Sequence, residues 1–493
     1  MTPIPLSRAN LPALADRATT PTYDPATVRP GIVHLGLGNF HRAHMARYTH
    51  DLMQADGAAT QWGILGAGLL PADAKMHDAL APQDSLYTLV ERDAAGEART
   101  VVGSLAGTVF AGHSTADLLQ ATENPAIRII SLTVTEHGYC LDRATKRLDP
   151  NHPLIQRDLA TPNTPASAVG VIVEALRRRM HARQSAPTLL TCDNIQHNGT
   201  VLRDAVLTLA TMQDQSLARW IEAEVSFPST MVDRITPVTA AADTAWLRDT
   251  VGIADAWPVF AETFTQWVIE DRFPRGRPAW QDVGAQFVPD VAPYEFMKLR
   301  LLNGSHLAVS GLGRLIGYDT IDQSMADPLI ARMMTALMDR ETGPTLPEIP
   351  GIDLSAYKAK LVERFANPAI KDTVERVNTD APLNVLLDPI RDCLARKLPI
   401  DLLALALAAW LRRVRGTDEQ NAPITIKHPL ADQLRERAIA GGPDPKPLLS
   451  IEALFGATGT DPALIRPVGH WLASLYANGA AATLAKAAET LAF

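Results

Sequence analysis

Cysteine is scarce in this sequence. Only three of the 493 residues are cysteines, they lie far apart, and no two of them form a C-x-x-C pair. This pattern indicates neither a disulfide framework nor a zinc site, and it favours three buried thiols. The three are Cys140, Cys192 and Cys393.

Apolar runs of membrane-spanning length are also lacking. Even the run 400–410 is too short to cross a bilayer, and it follows Arg396 and Lys397. The first ten residues do not show the basic start and apolar core of a signal peptide. We therefore expect a soluble cytoplasmic protein.

Positive charge is in the minority. The formal net charge is −8 and the isoelectric point is near 5.9, with no long run of Lys and Arg. This balance argues against nucleic acid and anionic membranes as partners. With 46% hydrophobic residues, the chain has enough apolar material to bury large cores.

The length of the chain exceeds what one hydrophobic core normally supports, so two or more domains are expected. Strand-like runs alternate with helical ones as far as about residue 271, whereas long helical periods dominate from residue 293 onwards. The sequence therefore predicts an α/β domain over 1–290 and a mostly α-helical domain over 291–493; the motifs described below indicate dinucleotide binding for the first, and the resemblance they carry implies a substrate and catalytic role for the second.

A strand, a glycine turn and a helix are predicted in succession near the N-terminus. Residues 31–35 are rich in β-formers and lead to Gly36 and Gly38, after which 45–53 has a helical pattern. Gly36 can make a tight turn, and Gly38 lets the backbone approach a pyrophosphate. The third glycine of the dinucleotide fingerprint is replaced by His41, so an ordinary glycine-rich turn is the alternative.

An acidic residue that could hold the adenosine ribose follows the second predicted strand. That strand, 62–67, ends at Gly68, and Asp73 is the nearest acid after it. Because no Arg or Lys lies between the two, the sequence favours NAD over NADP.

Two further predicted strands end in polar residues. Glu136 and His137 follow the β-branched run 127–134, and Asn194 follows the strand 187–192. Ligands bind at the carboxyl ends of strands in open α/β sheets, so these residues are site candidates. The alternative is that they only shape turns.

Asn194 also has structural neighbours that could explain its position. Asp193 and Asn198 could cap a helix predicted over 199–218, with Asn194 in the turn before it. Both roles are compatible with the sequence.

The segment 227–237 is predicted to be an irregular crossing. Within it, Asp233 either pairs with Arg234 or points towards a ligand. Residues 266–271 are predicted as the last strand of the chain.

Four groups suited to proton handling lie close together in one predicted helix. At about 100° per residue, Glu295, Lys298, Asn303 and His306 share one side of an α-helix. A lysine that faces an apolar environment has a lowered pKa and can act as a base.

The same helix has a purely structural interpretation. Leu299 and Leu302 fall within the same arc, which favours an apolar setting. Alternatively, Lys298 and Glu295 form an i, i+3 pair on an ordinary surface helix that Asn303 and His306 cap at its end.

Five motifs occur in order along the chain: Gly36-Leu-Gly-Asn-Phe-His-Arg-Ala-His44, Thr133-Val-Thr-Glu-His-Gly-Tyr-Cys140, Cys192-Asp-Asn194, Phe227-Pro-x-x-Met-Val-Asp-Arg-Ile235 and Lys298-x-x-x-x-Asn303-x-x-His306. This ordered set resembles the polyol-specific long-chain dehydrogenases, and the resemblance covers nearly the whole chain. It implies a Rossmann-type N-terminal domain, a helical C-terminal domain and an active site between them. It also implies NAD as cofactor, no catalytic metal, a polyol or ketose as substrate and a monomeric enzyme.

The resemblance assigns roles to single residues. Lys298 matches the family's general base, and Glu295 matches a carboxylate that passes protons to bulk water. The oxygen of the reacting carbon would be held by two amides, Asn194 and Asn303, with His306 positioning the substrate. The remaining assignments are Asp233 and Arg391 for the polyol, and Gly36, Gly38, Phe40, Asp73 and Glu136 for the cofactor.

The resemblance implies interconversion of a polyol and its 2-ketose: D-mannitol and D-fructose, with D-arabinitol and D-sorbitol as further substrates. The rival within the family is a hexuronate reductase acting on D-fructuronate and D-mannonate. A carboxylate substrate would need a further cation, which Arg391, Arg396 or Lys397 could supply. The run 380–387 lacks the Ser-Lys-Phe-Pro-like sequence of many relatives. In the family this run lines the distal end of the substrate pocket, so the resemblance does not decide between these substrates. A sensor without catalysis is disfavoured because the lysine and both amides are present.

Overall fold

A computed structural model gives the structure of residues 2–142, 145–380 and 382–493. The chain forms two compact units, Met1–Ala292 and Pro293–Phe493. Residue 381, in the run that bears on substrate choice, lies outside the described residues.

The first unit contains all of the strands found in the described residues. They are β1 Ile4–Pro5, β2 Pro30–Leu35, β3 Gly63–Gly68, β4 Tyr87–Asp93, β5 Gly96–Val102, β6 Leu105–Phe110, β7 Ile129–Leu132, β8 Thr188–Thr191, β9 Thr230–Asp233, β10 Ile253–Ala254, β11 Val259–Glu262, β12 Gln266–Glu270 and β13 Gln286–Val288.

Its helices are α1 Leu11–Leu14, α2 Asn39–Ala43, α3 Met45–Ala55, α4 Ala74–Leu80, α5 Ala116–Thr122, α6 Thr135–Gly138, α7 Pro153–Ala160, α8 Ala168–His181, α9 Asn198–Gln213, α10 Gln215–Glu224 and α11 Ala241–Trp246. The last of these runs into a π-helical segment, Leu247–Val251.

Five of the strands make the central sheet, in the order β6-β3-β2-β7-β8. Every pair in it is parallel. Its central strands carry β-branched and leucine side chains that are buried on both faces, such as Ile32 and Val33, which pack into two different clusters. A parallel sheet needs such cover on both faces, and this sheet confirms the Rossmann-type α/β fold.

Three expectations for the first unit are corrected by the structure. The predicted helix over 199–218 is two helices, because Asp214 breaks it and caps α10 by accepting hydrogen bonds from the backbone N–H groups of Ser216 and Leu217. The segment 227–237 is not irregular throughout, since β9 pairs antiparallel with β12. Nor is β12 the last strand, because β13 pairs with it in parallel.

The second unit is helical throughout its described secondary structure. Its helices are α12 Ala292–Met297, α13 Gly304–Ile316, α14 Ile321–Ala326, α15 Pro328–Leu337, α16 Leu354–Phe365, α17 Val374–Asp380, α18 Asn384–Arg396, α19 Asp401–Arg413, α20 Ala431–Gly441, α21 Lys446–Leu449, α22 Glu452–Phe455 and α23 Pro462–Leu491. Two π-helical segments are Lys298–Asn303, between α12 and α13, and Met338–Thr342, after α15.

The centre of this unit is α19. All of its residues except Asp401 are buried, as expected for a helix that is apolar nearly all round. It packs against α13 and α23. Along the described chain, no helix combines the length and apolarity needed to cross a bilayer.

Candidate functional site

The glycine turn after β2 has the geometry that its sequence predicts. Gly36 has φ +90°, and a Cβ at this position would lie 2.2 Å from the carbonyl oxygen of Thr133. Gly38 is exposed, and a Cβ there would meet only the Gly36 carbonyl, at 3.9 Å. The first glycine is therefore required by the turn, while the second leaves an open approach to the backbone. These residues fit a dinucleotide pyrophosphate.

A buried histidine, His34, contacts the residues that hydrogen-bond to this turn. His34 of β2 lies 2.8 Å from Ser131 Oγ through Nδ1, and 2.9 Å from Thr133 Oγ1 through Nε2. The Thr133 hydroxyl in turn donates to the Gly36 carbonyl at 2.8 Å. The role of His34 is not visible in the sequence, because a histidine inside a β-run carries no local signal of its partners.

Phe40 follows the turn directly and Asp73 follows β3, and both residues are half-buried. The Asp73 carboxylate accepts a hydrogen bond from the Leu70 N–H at 2.9 Å, and its Cβ packs on Gly68. The Phe40 ring stacks on His44, with centroids 5.0 Å apart. Asp73 is therefore fixed just beyond the end of β3, where an acid can hold a ribose.

The ends of β7 and β8 are joined by Asp193. Its buried carboxylate accepts hydrogen bonds from the N–H groups of Val134 at 3.1 Å and Thr135 at 2.8 Å, and from the Tyr139 hydroxyl at 2.9 Å. Burial raises the pKa of Asp193, and these hydrogen bonds oppose the rise. The predicted role of Asp193 as a cap of the following helix is wrong. Instead, it binds the backbone at the start of α6 and so fixes the position directly before Asn194.

Asn194 and Glu136 are both exposed at this edge of the sheet. Glu136, on α6, forms an ion pair with Lys146 at 2.6 Å between Oε1 and Nζ. Because both partners are largely exposed, this pair adds little to stability. The structure leaves both candidate side chains accessible at the carboxyl ends of the strands.

Asn198 does not cap the helix that it opens. Its amide donates to the carbonyl oxygens of Asp193 at 3.0 Å and Thr230 at 2.9 Å, and its Oδ1 accepts from the Thr230 N–H at 3.0 Å. It therefore connects the end of β8 to β9, whose last residue is the buried Asp233.

The neighbour of Asp233 has other partners. Arg234 is buried, forms an ion pair with Glu91, and donates to the carbonyl oxygens of Ala43 and Glu262. Its guanidinium thus ties β9 to α2 and β11.

In the second unit, the lysine segment is π-helical. Lys298 opens the segment and Asn303 ends it, so the α-helical angles predicted for Glu295, Lys298, Asn303 and His306 do not apply. A π-turn has i→i+5 hydrogen bonds, and such turns are frequent at functional sites. This arrangement alters which side chains share a side of the helix.

The interpretation as an ordinary surface helix is wrong. Glu295, Lys298 and His306 are only 6%, 8% and 8% exposed, and Asn303 is half-buried. Asn303 and His306 do not cap a helix end either, because α13 continues to Ile316. Three ionisable groups in one buried segment are uncommon outside functional sites.

His306 is held in place by an aromatic ring that the sequence did not reveal. The ring of Phe365, the last residue of α16, stacks on it with centroids 3.8 Å apart and planes at 11°. The two residues are 59 positions apart in the chain (365 − 306). No local pattern could have paired them.

Arg391, on α18, is half-exposed, and its guanidinium contacts Asp388 Oδ1 at 2.9 Å and Thr458 Oγ1 at 3.3 Å. A second arginine, Arg376 on α17, pairs with Asp372.

The three cysteines are buried and free, as predicted. Burial raises the pKa of both Cys140 and Cys393 to about 11. Within the part of the chain that the structure describes, no group of three or more His, Cys, Asp and Glu side chains is placed to hold a metal.

Comparison with known families gives a match over most of the chain. The family model for the Rossmann domain of mannitol dehydrogenase matches residues 30–282. The model for the mannitol dehydrogenase C-terminal domain matches residues 290–476.

Individual relatives and solved structures agree with these matches. Mannitol 2-dehydrogenase of Aspergillus fumigatus is 40% identical, covering 92% of this chain and 93% of the relative. Mannitol dehydrogenase 2 of Saccharomyces cerevisiae is also 40% identical, covering 97% and 96%.

Two solved structures have the same architecture over nearly their full length. Pseudomonas fluorescens mannitol 2-dehydrogenase, in a ternary complex with NAD and D-mannitol, is 42% identical with a TM-score of 0.88, covering 99% of this chain and all of that one. A D-sorbitol dehydrogenase in substrate-free form is 33% identical with a TM-score of 0.89, covering 97% and 100%.

Proposed function

Because the chain belongs to the mannitol dehydrogenase family, we propose that it is an NAD-dependent polyol 2-dehydrogenase that interconverts D-mannitol and D-fructose. The relatives named above are called mannitol dehydrogenases, and one of the solved structures is a complex with NAD and D-mannitol. D-Sorbitol is a further substrate to consider, since a D-sorbitol dehydrogenase has the same fold.

One observation carries the chemical part of the proposal. Lys298 is a buried lysine at the start of a π-helical turn that ends at Asn303, with the buried His306 one turn further on. A base, a hydrogen-bond donor and a positioning ring are thus fixed on one rigid element. Burial of such groups has a free-energy cost that structural packing does not require.

The glycine turn would hold the cofactor. Gly36 and Gly38 bring backbone N–H groups to the pyrophosphate, Phe40 lies beside the turn, and Asp73 accepts hydrogen bonds from the ribose hydroxyls. NAD, when bound, supplies the hydride acceptor for oxidation of the polyol. Glu136, exposed at the next strand end, completes the residues that we assign to this part of the site.

The side chains of the second unit handle the proton. Lys298 takes the proton of the C2 hydroxyl, and Glu295 passes it on towards bulk water. Asn303 donates a hydrogen bond to the C2 oxygen as negative charge develops there. The resemblance to the family assigns the same task to Asn194.

Substrate position is set by the remaining assigned groups. His306, fixed by its stack on Phe365, orients the hydroxyl groups next to the reacting carbon. Asp233 and Arg391 bind the distal hydroxyls, a role that for both rests on the family resemblance. A carboxylate can accept hydrogen bonds from a polyol and a guanidinium can donate them.

The charge around Arg391 favours a neutral substrate over a hexuronate. Its guanidinium already contacts the Asp388 carboxylate, so its positive charge is partly neutralised. Arg396 and Lys397, the other two candidates, are exposed at the end of α18. A substrate carboxylate is normally bound by a cationic side chain that is not already paired, or by an arginine that forms two parallel hydrogen bonds to it.

NADH oxidation with D-fructose and with D-fructuronate, measured side by side, tests the proposed substrate. We expect kcat/KM for D-fructose to exceed that for D-fructuronate by at least about 100-fold, because a site built for one polar pattern rejects another strongly. Activity on D-fructuronate alone would replace the polyol assignment by a hexuronate reductase. Treatment with EDTA in the same assay should leave the rate unchanged.

A further inference from the structure

His41 is buried in a way that hydrogen bonding does not explain. It has no exposed surface, and neither ring nitrogen has a hydrogen-bond partner among the described residues. Two buried polar atoms without partners carry a desolvation cost. The contact that the ring does make is a flat stack on His34, with centroids 3.4 Å apart and planes at 18°.

The stack reaches the glycine turn through His34. If His34 carries its proton on Nε2, it donates to Thr133 Oγ1 and accepts from the Ser131 hydroxyl, while the Thr133 hydroxyl donates to the Gly36 carbonyl. Burial lowers the pKa of His34 to about 3, and it lowers the pKa of His41 well below the ordinary value. Two neutral rings can stack without charge repulsion.

Several contacts tie α2 to other parts of the first unit: the Arg42 guanidinium donates to the Trp257 carbonyl at 2.6 Å, and the Ala43 carbonyl accepts from Arg234. The helix itself has only five residues, Asn39–Ala43, and its N-cap, Gly38, makes no side-chain hydrogen bond. A helix this short has few hydrogen bonds of its own. The His41 ring is the part of α2 that stacks on β2, the strand that leads into Gly36.

We propose that His41 is a positioning residue for the dinucleotide, holding the Gly36–Gly38 turn in its binding shape through its stack on His34. This inference rests on the proposed NAD-dependent function. In the usual fingerprint a third glycine at this place lets helix and strand pack closely. Here a planar ring packed on a planar ring makes the same contact.

Titration of protein fluorescence with NADH, together with steady-state kinetics, tests this role in three variants. We expect His41→Ala to raise the Kd for NADH at least about tenfold, while kcat at saturating NADH and D-fructose stays within about threefold of wild type. His41→Phe, which keeps a planar ring and removes both nitrogens, should return the Kd to within about threefold. His41→Leu fills the volume without a ring and should bind as weakly as His41→Ala, so it replaces that variant if the latter does not fold.

His50→Ala is the matched control, since His50 is a fully buried histidine of α3 whose ring contacts the Tyr23 hydroxyl. It should lower the melting temperature and leave the Kd for NADH within about twofold. The proposal is overturned if His41→Ala and His41→Leu bind NADH like wild type, or if folded His41→Phe binds as weakly as they do. Failure of the wild-type protein to bind NADH would instead refute the proposed function, before any variant is compared.

Discussion

The stack of Phe365 on His306 gives one residue of the proposed site a fixed ring plane. Phe365 is almost fully buried at the end of α16, and His306 is buried within α13. A histidine that orients hydroxyl groups must keep its nitrogens in one direction, and an imidazole without this neighbour could change rotamer. If His306 positions the substrate as proposed, we expect the Phe365 ring to affect substrate binding through it.

Phe365→Ala should separate this role from stability. We expect the free energy of unfolding to fall by about 3 kcal/mol, as for other buried Phe→Ala changes. The KM for D-mannitol should rise about tenfold while kcat changes less than about threefold, because the base and the amides stay in place. Urea unfolding and steady-state kinetics measure the two effects.

Phe455→Ala is the control for this prediction. Phe455 is fully buried in the same unit, on α22. Its removal should lower stability by a similar amount and leave the KM unchanged. Equal KM values for wild type and Phe365→Ala would show that the stack does not serve substrate binding.

Buried carboxylates accept backbone hydrogen bonds at the ends of two secondary-structure elements, the end of β8 and the start of α19. Asp193 joins the end of β8 to the loop after β7, through two backbone N–H groups and the Tyr139 hydroxyl. Such a carboxylate can accept all three bonds, whereas an amide at the same place would turn its NH2 group towards N–H donors. The exposed Asn194 follows directly, so its position depends on this junction.

Asp193→Asn should therefore lower both stability and activity. We expect a loss of about 2 kcal/mol in the free energy of unfolding and a fall in kcat/KM of at least about tenfold, because Asn194 is displaced. Asp214→Asn, which alters the cap of α10 and an ion pair with Arg177 at 3.8 Å, should cost at most about 1 kcal/mol and leave kcat/KM within about twofold. Unchanged kinetics in folded Asp193→Asn would show that the junction is purely structural.

Glu341 plays a comparable part in the second unit. It lies in the π-helical segment Met338–Thr342 and accepts hydrogen bonds from the N–H groups of Leu402 at 2.9 Å and Leu403 at 2.7 Å, at the start of α19. Burial raises the pKa of Glu341 to about 7. The two backbone hydrogen bonds lower the pKa and so oppose part of this rise. The central helix of the unit is thus capped by a carboxylate that titrates near neutral pH.

This pKa predicts a pH dependence of stability with a definite sign. Between the ordinary pKa of about 4.5 and about 7, folded Glu341 keeps a proton that the unfolded chain has released. The free energy of unfolding should therefore fall as pH rises through this range, by up to about 3 kcal/mol from this group. Below the range both states hold the proton, and above it the loss is complete.

Glu341→Gln cannot ionise, so the stability difference between wild type and variant should shrink or reverse as pH rises from 4.5 to 7. Urea unfolding at several pH values gives the comparison. Glu363→Gln, at an exposed carboxylate paired with Lys360, should run parallel to wild type. A Glu341→Gln profile that is also parallel to wild type would contradict the raised pKa.

Helices and strands with strong local patterns could be predicted from the sequence. The helix predicted over 45–53 lies within α3, the strand over 31–35 lies within β2, and the strand over 187–192 contains β8. These elements have regular apolar periods and clear ends. The π-turn at Lys298 could not be predicted, because no residue type marks an extra residue in a helical turn. The four residues of β9 are paired with β12, a contact about 35 positions away that leaves no local trace.

At the scale of the whole molecule, the sequence predicted the Rossmann-type α/β fold and the helical C-terminal part, and both are confirmed. The site was predicted through residues whose types carry chemistry, such as Gly36, Lys298 and Asn303. His34 and Phe365 were not identified, and Asp193 was predicted to cap a helix, because all three act through partners distant in the chain. Local patterns indicate which groups react, whereas tertiary packing determines how they are held.

We propose that Lys298 is the base of a polyol dehydrogenase, and the variant Lys298→Ala removes this base. We expect kcat for D-mannitol oxidation to fall by about 1000-fold, within the range for general base catalysis, while the Kd for NADH stays within about threefold of wild type. Lys358→Ala, which removes a lysine paired with Asp339 in the same unit, should leave kcat within about twofold. A folded Lys298→Ala variant that keeps nearly the wild-type kcat would show that Lys298 is not the base.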